Sequence, residues 1–323
     1  MFDVVVCKKK QEAENIYSFE LKLPEQGCLP EFQAGAHIDV EVRPGLIRQY
    51  SLCNPAGKTD RYLIAVLNDP ASRGGSVGMI EQVLEGQTIR ISKPRNLFPL
   101  DENTGFTLLL AGGVGITPII AMAEQLQQLG RDFELHYCGR SRTSMAFIDR
   151  LRHSPFAAKV ILHCDDGDAK QKLNLDTVFG ATPEDSHLYI CGPVGFMDYV
   201  LGQATDSGWP EARLHREYFS APDVASADTA DDEEAESFTL RLARSGKELK
   251  VAADQSVANV LLDNGIEVPI SCEQGICGTC LTPVLEGIPD HRDYFMTAKE
   301  HALNNQFTPC CSRSKSSVLV IDL

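Results

Sequence analysis

Toward its C-terminus the chain reads Cys272-Glu-Gln-Gly-Ile-Cys277-Gly-Thr-Cys280, followed thirty residues later by the adjacent pair Cys310-Cys311. No other feature restricts the fold as tightly. Cysteines separated by four residues, then by two, with a further cysteine far downstream, have the spacing of a plant-type [2Fe–2S] site. The reason is geometric. A short loop has to wrap the cluster with three thiolates pointing inward, and the fourth must come from elsewhere to complete two tetrahedral irons. Gly275 and Gly278 let the backbone come close and present amides to sulfur. A zinc site would usually carry paired two- to four-residue spacings in both halves, and the second half here has none. On spacing alone, Cys310 and Cys311 both remain candidates for the fourth ligand. In an alternating strand only one of the two would face the loop.

The cysteine total, eleven in 323 residues, is far below that of a disulfide scaffold. The hydrophobic share of 43% is ample for ordinary cores, and the length suits two or three domains. A formal net charge of −15 argues against nucleic acid or an anionic membrane as partner, since both select basic patches. The opening MFDVVVCKKKQE is apolar and then basic, the reverse of an export signal. The uncharged run from Asn103 to Ala123 is broken by Gly105, Gly112, Gly113, Gly115 and Pro118, so a strand, a glycine turn and a helix explain it better than a membrane span. A soluble cytoplasmic protein is expected.

The texture changes along the chain. Up to about residue 100, short strand-like runs recur between turn residues: DVVV, HIDVEV, RYLIAVL and TIRIS. They predict a small antiparallel β-barrel. From there strands and helices alternate. FTLLLAG, FELHYCG, KVILHC and HLYICG read as strands; TPIIAMAEQLQQLG, AFIDRLRH and VGFMDYVLGQA read as helices. This pattern predicts a doubly wound parallel α/β sheet. Residues 221–237 lack aromatics and carry five acids around Ala235, the composition of a solvated linker. Beyond them, FTLRLARSGKELKV predicts a hairpin, SVANVLLDNG a helix and SVLVIDL a closing strand, together a small α+β domain. The expected division is 1–101, a flavin-binding β-barrel; 102–222, a nicotinamide-binding domain; 223–237, an acidic linker; and 238–323, a ferredoxin-like β-grasp domain.

Two further motifs carry chemistry. Arg73-Gly74-Gly75-Ser76 lies just before a helix start, where free amides and a guanidinium suit a phosphate. Gly112-Gly113-Val114-Gly115-Ile116-Thr117-Pro118 follows a strand and opens a helix, so its amides can receive a pyrophosphate, and Pro118 is compatible with a first helical turn. It departs from the usual dinucleotide fingerprint, with Pro118 where a third glycine is expected. Where that fingerprint would place an acid for the ribose, the next strand ends Arg140-Ser141-Arg142. That tip could take a 2′-phosphate, which points to NADPH.

The cysteine spacing, the linker before it and the segment SRSKSSVLVIDL resemble the phthalate dioxygenase reductase family, whose members include vanillate demethylase reductases and similar partners of Rieske oxygenases. The resemblance extends over nearly the whole chain and implies the following. Arg48-Gln49-Tyr50-Ser51 is similar to the family's flavin motif, with Arg48 for the flavin phosphate, the Tyr50 ring flanking the isoalloxazine and the Ser51 hydroxyl near its reactive nitrogen. Ala65-Val66-Leu67 matches the strand at the flavin edge, and Arg73-Gly74-Gly75-Ser76 the FMN phosphate loop, so FMN is expected rather than FAD. Thr117 and Cys191, the latter within Cys191-Gly192-Pro193, would sit near the nicotinamide, and Phe219 would stack where it arrives. The family pattern places the fourth cluster ligand at Cys310, completing Cys272, Cys277 and Cys280. NADH is the implied donor.

Ser51, Thr117, Cys191 and Phe219 are therefore the expected catalytic positions. Hydride from NADH would reach FMN as two electrons, and single electrons would pass to a low-potential cluster, roughly −400 mV for the class, and on to a Rieske-type terminal oxygenase in aromatic catabolism. A monomer is expected. An NADPH-preferring reductase of the same type and a self-sufficient flavin hydroxylase are the alternatives.

Overall fold

A computed structural model describes residues 1–70, 72, 74–220 and 237–323. Two compact units are present, Met1–Phe219 and Ser220–Leu323. The acidic linker falls, apart from Ser237, outside the described residues, as does Arg73.

The first unit begins with an antiparallel barrel. Its strands are β1 (Phe2–Ala13), β2 (Ile16–Lys22), β3 (Ala36–Arg43), β4 (Leu46–Ser51) and β5 (Tyr62–Leu67). Helix α1 (Gly75–Gln82) is followed by β6 (Thr88–Ile91) and the short β7 (Arg95–Asn96). The order is β4-β3-β6-β1-β2-β5, with β7 added beside β3. The two ends meet just past β4, where Leu52 bridges Ile64 and the Cys53 amide donates to the Leu63 carbonyl at 2.8 Å. This bridge brings the two end strands of the sheet together. Alternation places Ile38, Val40 and Val42 of β3 inside with Val4, Phe19, Leu21 and Ile91, while Asp39 and Glu41 keep partial access to solvent. Strands β2 and β4 were not among the expected runs. Their polar residues, in IYSFELK and LIRQYS, interrupt the apolar alternation.

The same unit continues as a parallel sheet: β8 (Phe106–Gly112), α2 (Ile116–Gln128), β9 (Asp132–Gly139), α3 (Ile148–Arg152), β10 (Val160–Cys164), α4 (Leu175–Ala181), β11 (His187–Cys191), α5 (Val194–Asp206) and β12 (Leu214–Glu217). Its order is β10-β9-β8-β11-β12. Strand β8 is apolar throughout because both of its faces are covered. Leu109 and Ala111 pack with Ile119 and Ile120 of α2, and Leu108 and Leu110 pack with Val178 of α4 and Val200 of α5. The helix expected over AFIDRLRH is cut to Ile148–Arg152, because Phe147 takes a left-handed conformation, φ 61°, at its start. The strand order reverses between β8 and β11. The crevice beyond the C-terminal ends of these two strands is the ligand position of a doubly wound sheet.

The second unit consists of β13 (Phe238–Leu242), β14 (Glu248–Val251), α6 (Val257–Asp263), β15 (Thr282–Glu286), β16 (Pro289–Asp290), α7 (Ala298–Leu303), β17 (Gln306–Phe307), β18 (Arg313–Ser314) and β19 (Val318–Ile321). The main sheet runs β14-β13-β19-β15-β17, with β13 and β19 parallel, and β16 pairs with β18. Val257, Val260 and Leu261 of α6 pack on Leu240, Phe307 and Leu319. This is the β-grasp arrangement. The cysteine loop lies between α6 and β15. The alternation expected at Cys310-Cys311 is absent. Cys311 and Ser312 both donate their amides to the Thr308 carbonyl, at 3.2 and 2.9 Å, so the pair sits in a tight turn rather than a strand.

Among the described residues no helix is long and apolar enough to cross a membrane.

Candidate active site and cluster loop

The phosphate-type loop precedes α1. Gly74 caps the helix with φ 80°, no side chain caps it, and its first turn carries no acid. The helix N-terminus therefore offers amides and positive potential. Arg48, on β4, lies across it: a Cβ on Gly75 would fall 2.5 Å from the Arg48 Nε. Arg43, which the sequence did not single out, approaches from the end of β3, with its Nη2 3.8 Å from the Cβ position of Gly74. Ser76 Oγ bonds Ser72 Oγ at 2.8 Å, which steadies the turn. Free amides flanked by two guanidiniums fit a dianionic phosphate monoester.

Around this cradle Tyr50 pairs with Ile38 across β3–β4, and burial pushes its hydroxyl pKa up. Ala65 and Val66 on β5 are buried, and Leu67 is exposed at the strand end. Gln49 donates to Asp39 at 3.1 Å, and Arg95 holds the same carboxylate at 2.7 and 2.8 Å. His37 stands 3.4 Å from Gln49 Nε2. Burial, with the Arg95 charge, lowers its pKa to about 4.

At the sheet's switch point three expected positions gather with one that was missed. Cys191, at the end of β11, is in register with Glu217, at the end of β12. Ser51, from the barrel, donates its hydroxyl to Glu217 Oε2 at 3.1 Å. Burial raises the Glu217 pKa to about 8, against the Ser51 bond, which favours ionisation. Burial also pushes the Cys191 thiol well up, and Glu217 adds to that. The loop after β8 abuts Cys191-Gly192-Pro193 so closely that a Cβ on Gly115 would sit 2.2 Å from the Cys191 carbonyl oxygen. Gly112 and Gly113 complete that loop. Thr117 is buried and spends its hydroxyl on the Val114 carbonyl at 3.0 Å. Pro118 is buried in the first turn of α2, Pro193 caps α5, and Phe219 is 39% exposed at the end of the unit.

At the tip of β9, Arg140 and Arg142 are exposed and Ser141 caps a short turn through Ser144. Two acids adjoin this tip from the turn that follows β10. The Asp165 amide donates to the Gly139 carbonyl at 3.0 Å, and that of Asp166 to Arg140 at 3.1 Å. A pattern that looked only at the strand following the glycines could not find them.

In the second unit Cys272, Cys277 and Cys280 are buried within the loop. Hydrogen bonds from the Cys277 and Cys310 thiols draw the Cys272 pKa down to about 2. Cys310 also bonds Cys280, through both its thiol and its amide. Holding those bonds pushes the Cys310 thiol up. The Gln274 amide donates to the Cys272 sulfur at 3.4 Å. Cys311 adjoins this group: its thiol bonds that of Cys310, and its sulfur also lies 3.2 Å from Thr308 Oγ1. Gly275, φ 71°, has no room for a side chain: a Cβ would meet Cys311 Sγ at 2.5 Å and Asp293 Cα at 2.9 Å. Four thiols within reach of one another, served by backbone amides, fit a sulfur-bridged cluster in donor type and number.

Residues 240–315 match the 2Fe-2S iron–sulfur cluster binding domain, and residues 109–201 match the oxidoreductase NAD-binding domain. The chain is 51% identical over 323 residues, all of both chains, to the vanillate O-demethylase oxidoreductase of Pseudomonas sp. (strain HR199 / DSM 7063). It is 40% identical to the phthalate dioxygenase reductase of Burkholderia cepacia, over 98% of this chain and 96% of that one. The chain belongs to the phthalate dioxygenase reductase family. A solved phthalate dioxygenase reductase, described as a modular structure for electron transfer from pyridine nucleotides to [2Fe–2S], superposes with a TM-score of 0.74 at 39% identity, covering 100% of this chain and 98% of that one. The reductase is thus an NAD(P)H-dependent flavin iron–sulfur oxidoreductase whose cofactors are FMN and a [2Fe–2S] cluster, with NADH as donor.

Proposed function

We propose that the chain is the reductase of a two-component Rieske-type oxygenase that demethylates or hydroxylates an aromatic acid, with vanillate the first substrate to test. The convergence of Ser51, Cys191 and Glu217 at the switch crevice, beside the Arg48 cradle, carries the reductase reading. The full-length likeness to vanillate O-demethylase oxidoreductase carries the choice of partner. When bound, flavin supplies the change from two-electron to one-electron transfer, and the cluster supplies a one-electron relay.

The chain's own residues do the rest. Arg48 and Arg43, the expected Arg73, and the amides of Gly75 and Ser76 would hold the FMN phosphate. Tyr50, with Ala65, Val66 and Leu67, would wall the flavin. Glu217 holds Ser51 by its hydroxyl and so fixes where that hydroxyl can point. Neutral at pH 7, it adds no full charge against an incoming hydride. Cys191, kept as a neutral thiol, is a compact wall that leaves room for a nicotinamide edge. Gly112, Gly113 and Gly115, the start of α2 at Thr117 and Pro118, and Gly192-Pro193 would receive the pyrophosphate end. Phe219 would cover the flavin where nicotinamide enters. Arg140, Ser141 and Arg142 would contact the adenosine ribose, and the neighbouring Asp165 and Asp166 disfavour a 2′-phosphate, in keeping with NADH. Cys272, Cys277, Cys280 and Cys310 would ligate the irons.

The domain limits proposed are 1–101, 102–222 and 238–323, with 223–237 as linker, in a cytoplasmic monomer. The deciding experiment mixes the purified reductase with a vanillate oxygenase component and NADH. Vanillate-dependent NADH consumption with loss of the methyl group supports the reading. Cytochrome c reduction without any coupling to a panel of Rieske oxygenases would keep the reductase and reject the partner.

A further inference from the structure

Outside these two sites, one group of metal-ligating side chains gathers among the described residues: His291, Asp293 and His301, with ligand atoms all within 4.8 Å of one another. They come from the segment after β16 and from α7. Asp293 has no exposed side-chain surface. Its Oδ2 accepts the Met296 amide at 2.8 Å, and both its oxygens lie 3.2 Å from His301 Nε2. His291 is only 10% exposed. Its Nε2 stands 3.3 Å from Asn304 Oδ1, which accepts only, so the proton resides on Nε2 and the lone pair on Nδ1. That Nδ1 is buried without a hydrogen-bond partner, 3.9 Å from Asp293 Oδ1.

A simple histidine–aspartate clasp accounts for His301 and Asp293. It leaves the basic nitrogen of His291 orphaned at a buried carboxylate, which is unfavourable for a desolvated polar atom. A dication answers both demands, since it neutralises the carboxylate and takes the lone pair. The donor set, two imidazoles and one carboxylate, is that of zinc-class divalent ions, and His291 already has the outer hydrogen bond, to Asn304, that orients a metal-binding imidazole. Bonds of about 2.0–2.2 Å in a tetrahedron set donor separations of about 3.3 Å. The Asp293–His301 distances match this, whereas His291 Nδ1, 3.9 Å from Asp293 and within 4.8 Å of the His301 donor, must close by up to about 1.5 Å. The two rings now lie face to face, with centroids 4.4 Å apart and planes at 18°, so coordination splays them about Cβ–Cγ.

We propose that His291, Asp293 and His301 bind one zinc-class divalent ion that fastens this segment against the cysteine loop. The link to the loop is direct, because the amides of Tyr294 and Phe295 both donate to the Gly275 carbonyl, at 3.0 and 3.1 Å.

The probe is Co²⁺, titrated into the full chain carrying flavin and cluster after chelator treatment and desalting. The expected result is one Co²⁺ per chain, with ligand-field absorption and no intense thiolate charge-transfer band, displaced by Zn²⁺. His301→Gln, on a partly exposed helix, and His291→Gln should each weaken Co²⁺ at least ~10-fold, whereas Cys311→Ser should leave it unchanged. No saturable signal below about 1 mM Co²⁺, equal binding by His301→Gln, or a signal dominated by thiolate bands would each overturn the proposal.

Discussion

Ser51, Cys191 and Glu217 stand at the ends of regular strands, whereas Cys272, Cys277 and Cys280 lie in a loop joining α6 to β15. The two regions hold their groups by different means. In the first, ladder hydrogen bonds fix the backbone, and the side chains are satisfied within it: Ser51 bonds the Glu217 carboxyl, and Thr117 bonds the Val114 backbone carbonyl. In the second, the thiols bond mainly to each other and to nearby amides. The thiol–thiol bonds disappear when thiolates ligate iron, because the thiol protons must leave, whereas the amides still donate to sulfur. The first site is a property of the fold, and the second is completed by what it binds. Substitutions in the strand-end site should therefore change rates while the protein stays loaded. Substitutions in the loop should change loading itself.

The largest effect tests the loop. Cys310→Ser should abolish the cluster's visible bands and reduce cytochrome c reduction at least ~100-fold, the upper end for disturbed metal sites. Bound FMN and NADH-dependent ferricyanide reduction should persist. Cys311→Ser should keep iron, bands and cytochrome c reduction. If the two variants exchange phenotypes, the fourth ligand is Cys311 and the turn at Pro309 has been read one residue out of register.

Next comes the strand-end site. Glu217→Gln keeps a hydrogen-bond acceptor for Ser51 but replaces a titratable carboxyl by an amide that cannot exchange its proton at the crevice. Flavin reduction by NADH in stopped flow should slow by about 10- to 100-fold, at or below the usual range for a positioned acid–base group, with flavin and iron content unchanged. Loss of flavin from this variant would show that the strand-end site, too, depends on its ligand.

The same residue sets a pH dependence. Glu217 has a folded pKa raised to about 8, well above the unfolded value of about 4.3. Between those values the folded chain holds a proton that the unfolded chain has released. Stability therefore falls as pH rises through that window, by at most about 1.4 kcal/mol per pH unit, and levels off above pH 8. Trp209, the single tryptophan, packs on Phe179 in the first unit and reports its unfolding in urea. Glu217→Gln should flatten the slope. An unchanged slope would mean that another group carries it.

What the sequence disclosed follows the same division between local and distant. The parallel sheet was legible because β8 is apolar on both faces, and the phosphate turn because Gly74-Gly75 and α1 are contiguous. The cysteine spacing is local as well. Strands β2 and β4 were hidden because their polar residues break the alternation. Glu217 was passed over because its meaning arises only when Ser51, 166 positions away, is brought to it. Asp165 and Asp166 were not singled out because they reach the tip from the turn after β10 rather than from the expected strand. The strand assumed at Cys310-Cys311 failed for the opposite reason: amide bonds to Thr308 pull the segment into a turn that alternation cannot anticipate.

The smallest expected effect concerns nucleotide choice, and it sharpens how rigid the strand-end region is. The tip of β9 carries Arg140 and Arg142, whose charges would attract a 2′-phosphate, while those of the adjoining Asp165 and Asp166 would repel it. All four residues are exposed, so each charge is worth little on its own. The backbone bonds from Asp165 to Gly139 and from Asp166 to Arg140 nevertheless keep the acids beside the tip whatever occupies it. NADH should win in kcat/KM for cytochrome c reduction. Asp165→Asn combined with Asp166→Asn should raise kcat/KM for NADPH by up to about tenfold, or ~1.4 kcal/mol, and leave that for NADH nearly unchanged. Arg142→Ala should move NADPH the other way by a smaller factor. A wild-type enzyme already more than about tenfold better with NADPH would mean that the arginines outweigh the acids, and that the acids' side chains point away from the ribose even though their backbone is fixed beside it.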